Sequence, residues 1–421
     1  MLYDRWREIS RAESEKIALR DLASDRQWTF RELAQAAEQG SFSSGKFSFP
    51  QGISPEFIFD VLRAWKNGQV VCPLEHGQLP PEIAPGLPPE IVHLKMTSAT
   101  TGAARMIAFT ASQLIADAEN IVATMGLRAD WPNIGIISLA HSYGFSNLVL
   151  PLLLHGIPLI LASAPLPELL KRAAASEKSV TLAAVPALWR TWHEANSIPA
   201  NVRLAISAGA PLPIILEKEI FKTRGLKIHN FYGSSECGGI AYDASLTPRL
   251  DGACAGAPMR NVQLSVARNG CLEIQSKAVA QTYWPEPDAN LRDGIFRTSD
   301  LAEILDGIVF LRGRASDQIN VAGRKVSPES IEKILLAHPR VRECLVFGAP
   351  SEDSNRGEMI VACVVGKTNL ATEELKQFLL AKLPAWQVPR EWLLIESLAV
   401  NGRGKLSRAE WRKRFVNRRE R

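Results

Sequence analysis

The sequence has no long unbroken apolar run, no paired-cysteine spacing and little charge bias, and each absence removes a class of protein. The longest apolar stretch, Leu148–Pro165, is interrupted by Pro151, His155, Gly156 and Pro158. It reads as a buried helix, turn and strand, not as the roughly 20-residue apolar helix that crosses a bilayer, so no membrane span is expected. Six cysteines (Cys72, Cys237, Cys254, Cys271, Cys344 and Cys363) are scattered without a Cys-x-x-Cys pair, as suits reduced structural thiols in a cytoplasmic protein. The N-terminus, Met1-Leu2-Tyr3-Asp4-Arg5-Trp6, is charged and shows no signal-peptide core. A net charge of +5 is too mild to mark a nucleic-acid binder. Much of the excess lies in Trp411–Arg421, with six Lys/Arg and one Glu, which reads as a solvated helix end. There is no internal repeat, and no Gly-x-x-x-x-Gly-Lys-Ser/Thr loop of the Walker type.

What is present is a chain of 421 residues, 46% of them hydrophobic, enough for roughly two to three domain-sized units. Trp28-Thr29-Phe30-Arg31-Glu32-Leu33 reads as a strand giving way to a helix with a Thr29/Glu32 capping box. Phe57–Lys66 and Ala111–Met125 have helical apolar spacing. Strands are expected at Ile134–Leu139, Ile157–Leu161, Val180–Val185, Leu204–Ala208 and Lys227–Phe231, alternating with helices. That β–α rhythm predicts an α/β fold with a doubly wound, mostly parallel sheet. From about residue 250 to 314, short strands and turns predict a small β-rich subdomain completing an N-terminal domain of residues 1–314. Residues 315–421 read as a small α+β C-terminal domain.

Ligands in such sheets bind beyond the carboxyl ends of strands. Four stretches fall there: Met96–Arg105, His141–Phe145, Ser207–Leu212 and Tyr232–Glu236. The first is Met-Thr-Ser-Ala-Thr-Thr-Gly-Ala-Ala-Arg. Its hydroxyls (Thr97, Ser98, Thr100, Thr101), its Gly102 and its cation Arg105 suit a polyphosphate.

Taken in order, this loop, Tyr232-Gly233-Ser234-Ser235-Glu236, Arg297-Thr298-Ser299-Asp300-Leu301, Gly313-Arg314-x-x-Asp317-Gln318-Ile319 with Gly323–Pro328, and Asn401–Arg408 resemble the motifs of the adenylate-forming superfamily of acyl- and aryl-CoA synthetases. The resemblance implies ATP and Mg²⁺ as cofactors, and CoA or a carrier-protein pantetheine as thiol acceptor. A carboxylate attacks the α-phosphorus of ATP to give an acyl-adenylate and pyrophosphate; a thiol then takes the acyl group and AMP leaves. On this resemblance Thr97, Ser98, Thr100, Thr101, Gly102 and Arg105 hold phosphates, and Glu236 helps hold Mg²⁺. Tyr232, with Gly233, Ser234 and Ser235 beside it, receives adenine; Asp300 and Arg314 hold the ribose. Lys405 bridges the attacking carboxylate and the α-phosphate. His141 sits near the reacting groups or is a core histidine. Ser207, Ala208, Gly209 and Ala210, with Gly238, Gly239 and Ile240, wall the acid pocket; the two glycines leave room for substrate or pantetheine, or end a turn.

The chain departs from the family pattern at four places. Arg105 stands where Lys is usual, with Ala104 in place of Pro, and Ala99 stands for a frequent Gly. The N-terminal part is short. The interdomain pivot falls at Ser316 or its neighbour Asp317. Amino-acid-activating members of the resembled superfamily carry an Asp in this loop to pair with the substrate ammonium; Ala140–Gly144 has no acidic residue, so the resemblance favours a plain aryl or fatty carboxylic acid. Three functions follow: a CoA ligase, an enzyme loading a carrier protein, or a non-catalytic nucleotide binder.

Overall fold

The computed structural model describes residues 1–39, 45–96, 105–351, 357–367, 369–398 and 407–419. The N-terminal helix Leu2–Ala12 buries Leu2, Trp6 and Ser10, and the helix Phe30–Gln39 buries Phe30, Leu33 and Ala37. Each shows the one-faced spacing of an amphipathic helix. The second helix starts as its sequence predicts: Thr29 N donates to Glu32 Oε2 at 2.8 Å, and Glu32 N donates back to Thr29 Oγ1 at 3.2 Å.

Six strands form a parallel ladder in the order Ile17–Asp21, Leu159–Leu161, Asn133–Gly135, Val180–Ala184, Val202–Ser207 and Ile228–Ser234. Arg26–Thr29 closes one edge antiparallel. The strand expected over 134–139 ends at Gly135. Beyond it the backbone of Ser138 lies against Gly144, where a Cβ would come within 1.9 Å of the Ser138 carbonyl oxygen. That close approach draws the chain off the sheet.

After Ile228–Ser234 the ladder becomes antiparallel and continues through Gly238–Tyr242, Cys254–Pro258, Ile308–Arg314, Ile295–Leu305, Cys271–Gln275 and Gln263–Val266. The β-rich part of the N-terminal domain is thus hydrogen-bonded onto the edge of the parallel ladder, and the β–α part before it is parallel as its rhythm predicts. A hairpin turn such as the one after Ser234 can join only antiparallel neighbours, whereas each parallel step needs a crossover helix.

A second sheet has the order Thr282–Trp284, Met106–Thr110, Ile91–Met96, Val70–Val71 and Phe47–Ser48. The helix Ala111–Met125 packs near both sheets, touching Gly238–Tyr242, Ile91–Met96 and the helix Leu150–His155.

The base of Ile228–Ser234 is pinned by buried charges. Lys227 Nζ donates to Asp243 Oδ2 at 2.6 Å and to Glu217. Arg249 Nε donates to Glu217 Oε2 at 2.9 Å. Such a network must be complete, because removing one partner from a buried pair costs about 3–5 kcal/mol.

A further core cluster begins at Ile319. Val341–Pro350 pairs antiparallel with Glu358–Gly366, which pairs parallel with Glu391–Leu394. The two-residue period of strands divides the faces. Cys344 and Val346 pack with Ile331 and Leu375 of the helices Pro328–Leu335 and Thr372–Leu380. Leu345 and Phe347 pack with Phe415 of the helix Arg408–Arg419.

Candidate active site

The structure puts Tyr232, Gly233 and Ser234 on a strand, not in a loop after one. Ile228–Ser234 pairs with Gly238–Tyr242, with Ser234 opposite Gly238 and an irregularity between Tyr232 and Gly233. Ser235, Glu236 and Cys237 form the turn. A Cβ on Gly233 would lie 2.6 Å from the Gly238 carbonyl oxygen, so the hairpin needs glycine there. Glu236 N donates to Ser234 Oγ at 3.2 Å, fixing the turn, and Glu236 Oε1 accepts from the Tyr283 hydroxyl at 3.1 Å.

Asp300 and Arg314 face each other as register partners on adjacent strands. Arg314 Nε donates to Asp300 Oδ1 at 2.9 Å, and the Tyr232 hydroxyl donates to Asp300 Oδ2 at 2.5 Å. Burial, and then the Asp300 carboxylate, push the Tyr232 hydroxyl well above the usual tyrosine range, so it stays a donor. A carboxylate offers about four lone-pair sites. One side-chain donor on each oxygen leaves Asp300 room for two more, as a vicinal diol requires. Three residues from three separate motifs therefore meet at one carboxylate.

His141 is no core histidine. Its side chain is 43% exposed, with Nε2 3.3 Å from Glu75 Oε1. Ser138 Oγ donates to the same Glu75 oxygen at 2.7 Å. Glu75 is a partner that the sequence reading missed; nothing local marks it.

Arg105 lies with its guanidinium 5.4 Å from the centre of the Tyr283 ring and pairs with Asp288 at 3.1 Å. Its charge is thus tied to the Tyr283 that holds Glu236. Thr97, Ser98, Thr100, Thr101, Gly102 and Lys405 lie outside the described residues. The strands flanking the first loop are paired, Met96 opposite Met106.

The expected acid-pocket residues divide. Gly209 and Ala210 are exposed at a strand end, whereas Ser207, Ala208, Gly238, Gly239 and Ile240 are buried. The room left by the two glycines is filled from inside the protein. A Cβ on Gly238 would meet Asp117 Oδ1 at 1.9 Å, and one on Gly239 would meet the Met259 sulfur at 2.3 Å.

Asp117, Lys95 and His93 were also missed. Their signal was legible: a Lys and a His two apart in an apolar strand, and an Asp on the buried face of a helix. Among the described residues no group of three or more His, Cys, Asp or Glu could hold a metal. Mg²⁺ bound beside a nucleotide takes one or two carboxylates plus phosphate and water, and the single carboxylate of Glu236 fits that need.

The model of the AMP-binding enzyme family matches residues 54–284, and that of its C-terminal domain matches residues 330–405. The chain belongs to this family of adenylate-forming enzymes. It is 28% identical over 360 residues to a feruloyl-CoA synthase from Amycolatopsis sp, covering 80% of this chain and 72% of that one. It is 27% identical over 391 residues to a probable 2-succinylbenzoate–CoA ligase of Mycobacterium tuberculosis, covering 87% and 97%. The crystal structure of ATP-bound MatB from Rhodopseudomonas palustris superposes with a TM-score of 0.86 at 19% identity, covering 99% of each chain. That likeness shows the fold.

Proposed function

We propose that the chain is an AMP-forming acid–CoA ligase acting on an aryl or fatty carboxylic acid. The meeting of Tyr232, Arg314 and Asp300 carries this reading. It leaves a carboxylate with free lone pairs beside an aromatic ring, at the carboxyl end of the parallel ladder, as a nucleoside requires. Asp300 accepts the ribose hydroxyls, Arg314 holds Asp300 in place, and Tyr232 offers its ring to adenine. Glu236, oriented by Tyr283 and by the Ser234 turn, holds Mg²⁺, which supplies charge neutralisation for the phosphates. His141, poised by Glu75, faces the acid's carboxylate. Lys405 provides a cation to the carboxylate and α-phosphate as charge develops. The second step delivers the acyl group to CoA.

Loading of a carrier protein is the second reading. The helix Arg408–Arg419 has Arg412, Lys413 and Arg414 in one run and Arg418 about a turn further on, which suits an acidic partner. ATP–pyrophosphate exchange with a panel of aryl and fatty acids tests the first step. Exchange should appear with at least one acid and be lost in Lys405→Ala. No exchange with any acid would overturn the ligase reading in favour of a nucleotide binder. AMP release on adding CoA or a carrier protein separates the two acceptors.

A further inference from the structure

Beneath the hairpin that carries Glu236 lies a buried polar cluster with more donors than partners. Asp117, from the helix Ala111–Met125, accepts from Ser146 Oγ at 2.6 Å and from the Gly239 amide at 3.1 Å. Ser146 lies on the helical run headed by His141. Gly239 lies opposite Gly233 on the Tyr232 strand. Lys95 and His93 project from one face of Ile91–Met96, the strand that leads into the Thr97–Gly102 loop. Three elements that carry or adjoin expected site motifs thus converge on the helix of Asp117.

Lys95 is 3% exposed and His93 is fully buried. Lys95 Nζ and both His93 ring nitrogens make no hydrogen bond among the described residues. The ammonium lies 4.4 Å from the centre of the Phe109 ring, and the His93 ring lies 4.4 Å from that of Phe145. The nearby charges acting on Lys95 are those of Asp117, Cys237 and Glu236. Burial, and then Lys95, hold the His93 imidazole neutral, so it has one donor and one acceptor to offer. A purely structural ion pair consumes its donors, because an unmet buried donor costs free energy. Among the described residues, this cluster has an ammonium and an imidazole with capacity unspent.

We infer that Lys95, His93 and Asp117 form the far end of the acid pocket and select acids whose distal end carries a hydrogen-bond-accepting oxygen. Such an oxygen accepts a hydrogen bond from Lys95 Nζ, and His93 adds a second contact. Asp117 balances the ammonium and is itself fixed by Ser146 and Gly239. The inference rests on the ligase reading for where the acid lies.

The test is pyrophosphate exchange with matched acids: para-hydroxybenzoate against para-toluate, and ω-hydroxyhexanoate against heptanoate. The oxygenated member of a pair should have the higher kcat/KM by about tenfold or more, the scale of one charge-assisted hydrogen bond. In Lys95→Met the ratio within each pair should collapse towards one, chiefly through KM. Lys95→Met combined with Asp117→Asn removes both charges and guards against a variant that fails to fold. A ratio near one in the unaltered protein, or a ratio that survives both variants, overturns the subsite. The same pairs are also compared by the rise in Tm that each acid gives in the presence of AMP. A preference seen there without exchange would sink the ligase reading and leave the subsite standing; exchange without preference would do the reverse.

Discussion

Asp300 holds two protein donors and still has acceptor capacity, and this sets the most direct expectation for a single residue. In Asp300→Asn one oxygen becomes an amide, so the pairing with Arg314 and the acceptor pair for a diol are both spoiled. Losing a hydrogen bond to a charged group costs about 1.5–3 kcal/mol, or roughly 10- to 100-fold in nucleotide affinity. Titration with AMP should show it; unchanged affinity would remove Asp300 from the nucleotide site. Arg105 invites a comparison of shape against charge. Lysine in its place keeps a cation for Asp288 but loses the flat face over Tyr283. Arg105→Lys should retain pyrophosphate exchange within about tenfold, a change of some 1.4 kcal/mol, while Arg105→Ala should lose more. Equal losses in both would mean that the planar contact matters and the charge does not. Tyr232, Asp300 and Arg314, which the structure brings together, were legible in the sequence because each belongs to a short motif. Glu75, Tyr283 and Asp288 were not, since each acts through a neighbour far away in the chain.

At the scale of elements, the helix Arg408–Arg419 is locked to its surroundings by its first residue. Arg408 donates through Nε to the Val346 carbonyl at 3.0 Å and through Nη1 to Asp317 at 3.0 Å, and Nη1 also pairs with Glu329 at 2.7 Å. Nη2 reaches Glu332 at 2.8 Å. Burial raises the Glu332 carboxyl against the opposing pull of Arg408. Arg408→Gln would leave that buried acid without its cation, at a cost of about 3–5 kcal/mol. The thermal midpoint should fall clearly; an unmoved midpoint would show that the clamp is idle. Asp317 is one of the clamped acids, so the same cation ties the turn at Ala315–Asp317 to the helix Arg408–Arg419. Helices were well marked in the sequence by apolar period and caps, as at Thr29. Strand ends were poorly marked, because Ile136, Ile137 and Leu139 are buried whether or not they sit in the ladder.

For the whole molecule, acid stability should be set by buried histidines as well as by carboxylates. Burial, aided by Lys95, holds His93 well below its ordinary 6.5, and burial, aided by Arg5, brings His155 down to about 4; burial also lowers His229. A lowered histidine binds fewer protons folded than unfolded. Its contribution is therefore complete above about pH 6.5 and is lost as the pH falls, for His155 down to about 4. Asp243 works the same way lower down: burial opposes its ionisation, but Lys227 and Ser245 win and hold it below 3.8. The unfolding free energy in urea should decline between neutral pH and about pH 5, before most carboxylates titrate. A flat profile over that range would contradict the burial of these rings.

The sequence by itself determined the family, the motifs that mark it and the alternation of strands and helices, because periodicity, caps and motif spacing are local and survive in one dimension. Tertiary structure alone decided that the antiparallel strands extend the large sheet, that His141 answers to Glu75, and that two glycines make room for Asp117 and Met259 and not for open space. Those are contacts between segments tens to more than a hundred residues apart. The close packing of the interior, which no local pattern encodes, selects them.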